Sequence, residues 1–246
     1  MKRALDEGAL SRFVAQLRRL GPLSEAEEHT LRSLPGRFLE VPANLEFSES
    51  TSTGSERILF LVNGLLASCY DTESGERQLT ALHVPGDLCD LNALVLATRP
   101  MRLTALAPSR LFAVARGAFT DAMQRHPGLI GVFWRYSSSR MLILNERVVS
   151  LGSRDARQSL SHLFCELAVR QGFSSGAGAT AFPLPIRQHQ LGSALGITYV
   201  HVNRTLKTLR EEGLVQFQRQ VVTIADWKRL AREASFDPGY LTGYLP

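Results

Sequence analysis

One long segment of this chain constrains its fold more than any other. Between Val132 and Leu151 there is no proline or glycine, so a helix can continue there without a break. Apolar residues recur in steps of four and three, the spacing of a helix that packs along a seam. The seam residues, which we predict as a dimer interface, are Ile130, Trp134, Ser137, Met141, Leu144, Val148 and Leu151.

A second apolar row lies beside this seam. It consists of Leu129, Phe133, Tyr136 and Ile143. One row can pack on the chain's own core while the other meets the same helix of a second copy, so we expect a homodimer. The alternative is that the seam packs only within its own domain, as most amphipathic helices do.

The residues before this helix fall into two groups. Residues 10–33 have the apolar spacing of two short amphipathic helices, and Ser24 with Glu27 forms a capping-box pattern. From Arg37 to about Ala115, short apolar runs alternate with turn residues, and Asn63–Gly64 is a hairpin-type dipeptide. This pattern predicts antiparallel strands folded into a sandwich or roll.

The residues after the long helix begin with a predicted hinge at Gly152–Ser153, followed by a helix from Arg154 to about Gln171. Next comes GFSSGAGAT, a loop of small residues in which we expect no regular structure. These features divide the chain into three parts: residues 1–127, a dimerisation helix and hinge over 128–152, and residues 153–246.

Residues 184–226 contain the pattern of two helices and a wing. A helix over 187–195 ends at Gly196, where a left-handed residue is needed, and Thr198 can cap the helix that follows. The remaining LVQFQRQVVTIAD predicts a two-stranded wing with Arg219 near its tip. This order of helix, turn, helix and wing is typical of proteins that insert the second helix into the major groove.

The exposed face of the second predicted helix is polar and basic. Arg204 can bind guanine and Asn203 can bind adenine, each through two hydrogen bonds. We expect Tyr199, Val200, Asn203 and Arg204 to face bases, and Gln188, His189, Thr198, His201 and Lys207 to contact phosphates. Because many helical pairs have polar outer faces, these residues alone also allow a purely structural role.

The segment QLGSALGITYVHVNRTLKTLREEGLV resembles the helix-turn-helix of the CRP/FNR family of transcription regulators, with Gly192 in place of the usual alanine. VPGDLCDLNALV resembles the family's PGD segment. The resemblance implies an α+β fold. Its parts are an N-terminal cyclic-nucleotide-binding-like β-roll as the sensor domain over 1–127, a long dimerisation helix and hinge over 128–152, and a C-terminal winged helix-turn-helix as the DNA-binding domain over 153–246. It also implies a homodimer that binds pseudo-palindromic double-stranded DNA. RNA polymerase is a further candidate partner, although no residue pattern identifies its contact surface.

Two departures from the family pattern bear on specificity. Many members carry a glutamate where this chain has Val200, and that glutamate accepts a hydrogen bond from cytosine. Valine can only contact a thymine methyl group, so we predict a different half-site. In the sensor domain, the Gly-Glu pair and the Arg-Ser/Thr pair that hold a cyclic nucleotide are missing. The candidate effector pocket is Gly86, Asp87, Asp90, Arg99 and Arg102.

The sequence therefore argues against a bound cyclic nucleotide, and an unidentified small molecule is the expected effector. No cysteine precedes Cys69, which argues against the iron–sulfur cluster of the oxygen-sensing members. A haem or metal site at His83 and Cys89 stays open as an alternative. The three cysteines, Cys69, Cys89 and Cys165, form no paired ligand motif, and we expect small buried thiols.

Composition narrows the function classes only slightly. The net charge of +5 permits a polyanionic partner without requiring one. There is no apolar run long enough to span a membrane and no signal-type leader, so we expect a cytoplasmic protein.

Three hypotheses compete. The first is an effector-gated regulator, and the second a constitutive regulator with a degenerate, ligand-free sensor domain. The third, a cupin-like enzyme, requires several strand histidines, whereas the predicted roll offers only His83. No catalytic triad or phosphate loop is visible, so we predict that the protein is not an enzyme.

Overall fold

A computed structural model describes residues 8–47, 57–71, 73, 77–90, 102–173 and 179–242. The chain divides into two compact units. The first is built mainly from residues up to Ser68 and from His83–Met141, and the second from Cys69–Leu82 and Leu142–Leu241. The three-part division predicted from the sequence stays a prediction.

The N-terminal helices of the first unit form as predicted. Helix α1 spans Ser11–Leu20 and helix α2 spans Glu25–Arg32. The capping box is complete, because the side chain of Ser24 accepts from the backbone of Glu27 while the Glu27 carboxylate accepts from the backbone of Ser24. The apolar stripe of α1 is buried in the core of the unit.

Seven strands follow in the part of the chain that the structure describes, which confirms the predicted roll. They are β1 (Gly36–Val41), β2 (Glu46–Phe47), β3 (Arg57–Asn63), β4 (Leu66–Asp71), β5 (Arg77–His83), β6 (Arg102–Ala105) and β7 (Ser109–Ala115). They form one sheet in the order β1-β7-β3 and another in the order β2-β6-β4-β5. Apolar side chains from both sheets, among them Leu59, Leu61, Leu66, Leu103 and Leu111, fill the space between them.

The hairpin expected at Asn63–Gly64 is wrong. The dipeptide does make a tight turn, with Gly64 at a φ of +98°. However, β3 pairs with β7 whereas β4 belongs to the other sheet, so the turn passes the chain from one sheet to the next. A Cβ atom on Gly64 would lie 2.6 Å from the Cα of Ser109. The positive φ angle of Gly64 thus determines the turn, whereas the pairing of β3 with β7 depends on which strand faces are buried.

The outer face of the three-stranded sheet is covered by helices. Helix α3 spans Arg116–Arg125 and helix α4 spans Gly128–Gly152. The Phe13 ring on α1 packs edge-on against Phe60, with centroids 4.8 Å apart, and against Tyr136 on α4 at 5.6 Å. The second apolar row of α4 is buried: Leu129, Phe133, Tyr136 and Ile143.

The seam of α4, in contrast, is exposed along its whole length in the single chain. All seven seam residues face solvent, and Trp134 is 75% exposed. The alternative in which the seam packs within its own domain is therefore wrong for this part of the chain. Exposed rows of large apolar side chains are uncommon on single soluble chains, and the dimer interface expected along this row stays a prediction.

The second unit contains the remaining elements. They are α5 (Ala156–Arg170), β8 (Thr180–Pro183), α6 (Gln188–Leu195), α7 (Tyr199–Glu211), β9 (Val215–Gln218), β10 (Val221–Ile224), α8 (Trp227–Glu233) and α9 (Gly239–Thr242). The predicted two-stranded wing is confirmed, because β9 pairs antiparallel with β10 and Arg219 lies in the turn between them. The sequence analysis missed β8, which pairs with the other edge of β10 and makes a sheet of three strands in the order β8-β10-β9. Strand β8 begins at the end of the predicted loop, and Phe182 pairs with Val222.

The helix predicted from Arg154 to about Gln171 is confirmed as α5, and its C-terminal part is buried on all sides. Every residue from Ser159 to Arg170 is buried. Its charged groups are paired: Glu166 lies 2.8 Å from Arg170 and 3.7 Å from Arg147. At the predicted hinge, Arg154 lies 2.6 Å from Glu146 and also donates to the Ser150 hydroxyl. These contacts join the turn after α4 to the last two turns of that helix, and the hinge stays a prediction.

His162 on α5 makes the stability of this unit depend on pH. Its Nε2 lies 3.1 Å from the Glu146 carboxylate, yet burial, with a contribution from Arg154, lowers its pKa to about 4. Unfolded, the same imidazole has a pKa of roughly 6.5. Between about pH 6.5 and pH 4, His162 is therefore protonated in the unfolded chain and neutral in the folded chain.

We expect the contribution of His162 to the free energy of unfolding to be largest above pH 6.5 and to fall as the pH drops toward 4. Replacing His162 with glutamine should flatten this dependence between pH 6.5 and 5, a range above the usual titration of carboxylates. Urea denaturation followed by circular dichroism at a series of pH values measures it. An unchanged slope in the variant would show that another group is responsible.

The cysteines are free and buried, as predicted. Burial raises the pKa of the Cys165 thiol to about 12, so it stays protonated at neutral pH. Among the residues that the structure describes, no three histidine, cysteine or acidic side chains cluster in a way that could hold a metal ion. In the same residues, no helix is long and apolar enough to cross a membrane.

Candidate DNA-binding interface

Residues at both ends of α6, the first helix of the predicted motif, determine where the helix begins and where it stops. At its start, the Gln190 side chain accepts from the backbone N–H of Arg187 at 2.9 Å. At its end, Gly196 adopts the left-handed conformation with a φ of +65°, and its N–H bonds to the carbonyl of Gly192. The predicted stop at Gly196 is confirmed.

Helix α7 begins as predicted at its cap. The Thr198 hydroxyl accepts from the backbone N–H of His201, which satisfies one of the free donors in the first turn. Val202, Leu206 and Leu209 form the buried face of the helix. The opposite face is left for solvent.

Gly192 stands where the family pattern has alanine, and the backbone of the following turn passes close to it. A Cβ atom at this position would lie 2.6 Å from the carbonyl oxygen of Ile197. The backbone N–H of Ile197 also donates to the carbonyl of Gly192 at 3.1 Å. The turn between α6 and α7 is therefore packed directly against the backbone of α6, which fixes the spacing of the two helices.

The predicted DNA-facing residues lie on the outer surface of this unit. Nine are exposed and Gln188 is half-buried; the nine are His189, Thr198, Tyr199, Val200, His201, Asn203, Arg204, Lys207 and Arg219. Gln188 on α6 and Asn203 on α7 are joined by a hydrogen bond of 3.1 Å. Arg219 occupies the turn between β9 and β10, where it and Gln220 have positive φ angles. The assignment of each residue to a base or a phosphate stays a prediction.

An ion-pair network that the sequence did not indicate fixes the C-terminal end of α7. Arg157 on α5 lies 2.5 Å from Glu212 and 2.6 Å from Glu233, and Arg229 on α8 also binds both carboxylates. Arg157 lowers the pKa of Glu212, and the two carboxylates raise the pKa of Arg157. The arginine lies 55 and 76 residues from its partners, so no local pattern could have identified the network.

The predicted effector pocket is only partly described. Asp87 is fully buried, and its carboxylate accepts from Arg140 at 3.1 Å, from Gln16 at 3.2 Å and from the backbone of Val84 at 2.9 Å. The neighbouring Gly86 has a φ of +103°. Asp90 is half-buried, and Arg99 lies outside the described residues.

The described charges of this pocket do not fit a cyclic phosphate. A buried carboxylate such as Asp87 would repel a phosphate, and it binds Arg140 and the backbone instead. Arg102 is 61% exposed and lies 3.8 Å from Glu46. His83 is buried with Nε2 2.8 Å from the Ser68 hydroxyl, and burial raises the pKa of the Cys89 thiol, which disfavours the thiolate that a metal would need.

Comparison with known proteins identifies both regions. A sequence model of the cyclic nucleotide-binding domain matches residues 49–126, and a model of the Crp-like helix-turn-helix domain matches residues 158–233. The structure of FixK2 from Bradyrhizobium japonicum superimposes with a TM-score of 0.70 at 18% identity, covering 83% of this chain and 100% of that one. The chain belongs to the CRP/FNR family of transcription regulators.

Two curated members of the CRP/FNR family illustrate the relationship. The anaerobic regulatory protein of Haemophilus influenzae is 27% identical over 164 residues, 67% of this chain and 63% of that protein. The nitrogen fixation regulation protein FixK of Azorhizobium caulinodans is 26% identical over 163 residues, 65% of this chain and 64% of that protein. The alignments thus span less than two thirds of either relative. Both are named as regulators, and neither they nor the matched domains indicate an enzyme.

Proposed function

We propose that this chain is a homodimeric transcription regulator that reads duplex DNA with α7. The observation that carries the proposal is the division of α7 into two faces. One face is buried through Val202, Leu206 and Leu209, while the other exposes hydrogen-bonding and basic side chains from the capped N-terminus onward. Such a helix can enter the major groove without loss of its packing.

Three side chains on this face would read bases. Arg204 donates to guanine O6 and N7, Asn203 pairs with the edge of adenine, and Val200 contacts a thymine methyl group. Val200 is 61% exposed, which leaves its methyl groups free for such a contact. The wing tip at Arg219 would reach the DNA backbone beside the groove. Base contacts would give specificity, and phosphate contacts would set the position of the protein.

The exposed seam of α4 supports the dimer. Two copies that pair along this helix bury apolar side chains that each single chain leaves in water. A two-fold axis would then relate two recognition helices, so that the DNA site is a pseudo-palindrome with half-sites about one helical turn apart. The mass of the complex tests this directly: sedimentation should give two chains per duplex.

Effector gating is supported by the contacts between the Gly86–Asp87 turn and α4. Arg140 binds the Asp87 carboxylate, and the Tyr136 hydroxyl accepts from the backbone N–H of Leu88 at 3.1 Å. Both α4 residues lie on the helix that carries the seam. A ligand that shifted this turn would therefore act on the seam, which is the coupling that regulation requires.

A small-molecule extract of the source cells provides the test for gating. Gating predicts a change in DNA affinity when the extract is added, whereas equal affinity with and without it would favour the constitutive alternative. In vitro transcription with RNA polymerase then shows whether the DNA-bound protein activates or represses.

Arg204 and Lys207 should differ in the way they contribute to binding. Arg204→Ala is expected to cost about 1–3 kcal/mol on the preferred site and to relax the preference at one base pair. Lys207→Gln should weaken binding to all sequences alike and reduce the salt dependence by about one counterion. Fluorescence anisotropy at several salt concentrations separates the two. Equal losses by Arg204→Ala on every sequence would contradict the assignment of Arg204 to a base.

A further inference from the structure

Gln188 has a contact that its predicted role at a phosphate does not explain. Its Oε1 accepts a hydrogen bond of 3.1 Å from Nδ2 of Asn203, so the first turn of α6 is joined to the exposed face of α7. We infer that Gln188 is a positioning residue that orients the Asn203 amide to read adenine. The inference rests on the proposed function, since it concerns the face of α7 that would enter the groove.

The backbone fixes the two side chains relative to each other. Gln188 is the first residue of α6, whose start is held by the Gln190–Arg187 cap. The start of α7 is held by Thr198, and the close approach at Gly192 sets the distance between the helices. Gln188 is half-buried whereas its neighbours Arg187 and His189 are exposed, so it has fewer accessible conformations than they have.

The hydrogen bond determines what the Asn203 amide offers to DNA. An asparagine amide has two N–H donors and one acceptor oxygen. When one N–H is donated to Gln188, the other N–H and the oxygen remain, and together they match N7 and the N6 amine of adenine. If Gln188 donated to the Asn203 oxygen instead, both N–H groups would face outward and would match the two acceptors of guanine.

A phosphate contact by Gln188 would reinforce the observed direction. The Gln188 amide nitrogen donates and its oxygen accepts. A phosphate near the start of α6 would bind the nitrogen and leave the oxygen turned toward Asn203. The contact with the DNA backbone would thereby fix the base preference of a side chain on the neighbouring helix.

The test uses the full-length protein and a duplex that it retains from randomised DNA. Each adenine of one half-site is replaced in turn with 7-deaza-adenine, which lacks the N7 acceptor. We expect one replacement to weaken binding by the native protein about fivefold to thirtyfold. Gln188→Met replaces the amide oxygen with a thioether, which accepts hydrogen bonds only weakly, and should lose most of this discrimination. Asn203→Ala should lose it as well.

Gln188→Glu separates positioning from a merely structural role. It keeps the acceptor, so it should retain the sensitivity to 7-deaza-adenine, even though its negative charge lowers affinity for all duplexes. Adding Gln188→Met to Asn203→Ala should have little further effect on discrimination, because both act through one amide. Circular dichroism verifies that the variants fold.

Three results would overturn the inference while leaving the proposed function intact. The first is a Gln188→Met protein that discriminates against 7-deaza-adenine as strongly as the native protein. The second is that Gln188→Met and Asn203→Ala reduce this discrimination independently. The third is a half-site in which no effect of 7-deaza-adenine depends on Asn203. If the native protein retains no duplex either with or without the small-molecule extract, the proposed function fails and the inference fails with it.

Discussion

Replacing Asp87 with alanine is expected to lower the free energy of unfolding by about 3–5 kcal/mol, the cost of breaking a buried ion pair. The carboxylate is fully buried and is bound by Arg140, Gln16 and the backbone of Val84. Its removal leaves these donors without their acceptor where water has little access. Urea denaturation at one fixed protein concentration measures the loss, since dimerisation would also contribute to stability.

The ion pair between Arg102 and Glu46 provides the matched control. Arg102 is 61% exposed and Glu46 is 35% exposed, and the two groups lie 3.8 Å apart, so Glu46→Ala should cost no more than about 1 kcal/mol. Equal losses for Asp87→Ala and Glu46→Ala would contradict the structural role given to Asp87. Such a result would reopen Asp87 as a residue of the effector pocket.

Placing a charge in the α4 seam should disrupt the dimer. In the proposed dimer, Trp134→Glu would place a carboxylate from each chain in the seam and remove a large aromatic contact, so we expect dimer affinity to fall by about 100-fold or more. DNA affinity should fall with it, because the two half-sites would be bound independently. Trp134 is 75% exposed in the single chain, so folding itself should be little affected.

Gln124→Glu is the control for this experiment. Gln124 is exposed on α3, outside the seam, and the substitution adds the same charge. Sedimentation equilibrium compares the two variants with the native protein. A Trp134→Glu protein that remains dimeric with native affinity would show that the chains pair through another surface.

Elements specified by local patterns could be predicted from the sequence. The Ser24 and Thr198 caps, the stop at Gly196 and the apolar rows of α4 depend on residues within a few positions of one another. The same holds for the recognition face, since a helical period and a buried apolar row determine which residues are exposed. The family resemblance then supplied the order of the domains.

Features that depend on distant partners could not be predicted in this way. The Asn63–Gly64 turn was recognised, but the pairing of β3 with β7 across about fifty residues was not. Strand β8 was missed because Thr180–Pro183 is short and follows a loop of small residues. The pairing of Asp87 with Arg140, 53 residues away, likewise has no signal in either segment.

Selection of randomised duplex DNA by the purified, full-length protein tests the proposed function most directly. We predict enrichment of a pseudo-palindrome with half-sites about one helical turn apart. The enrichment should disappear with Trp134→Glu, and the preference at one base pair should relax with Arg204→Ala. A single asymmetric site, or enrichment that neither substitution changes, would contradict a dimer that reads DNA through α7.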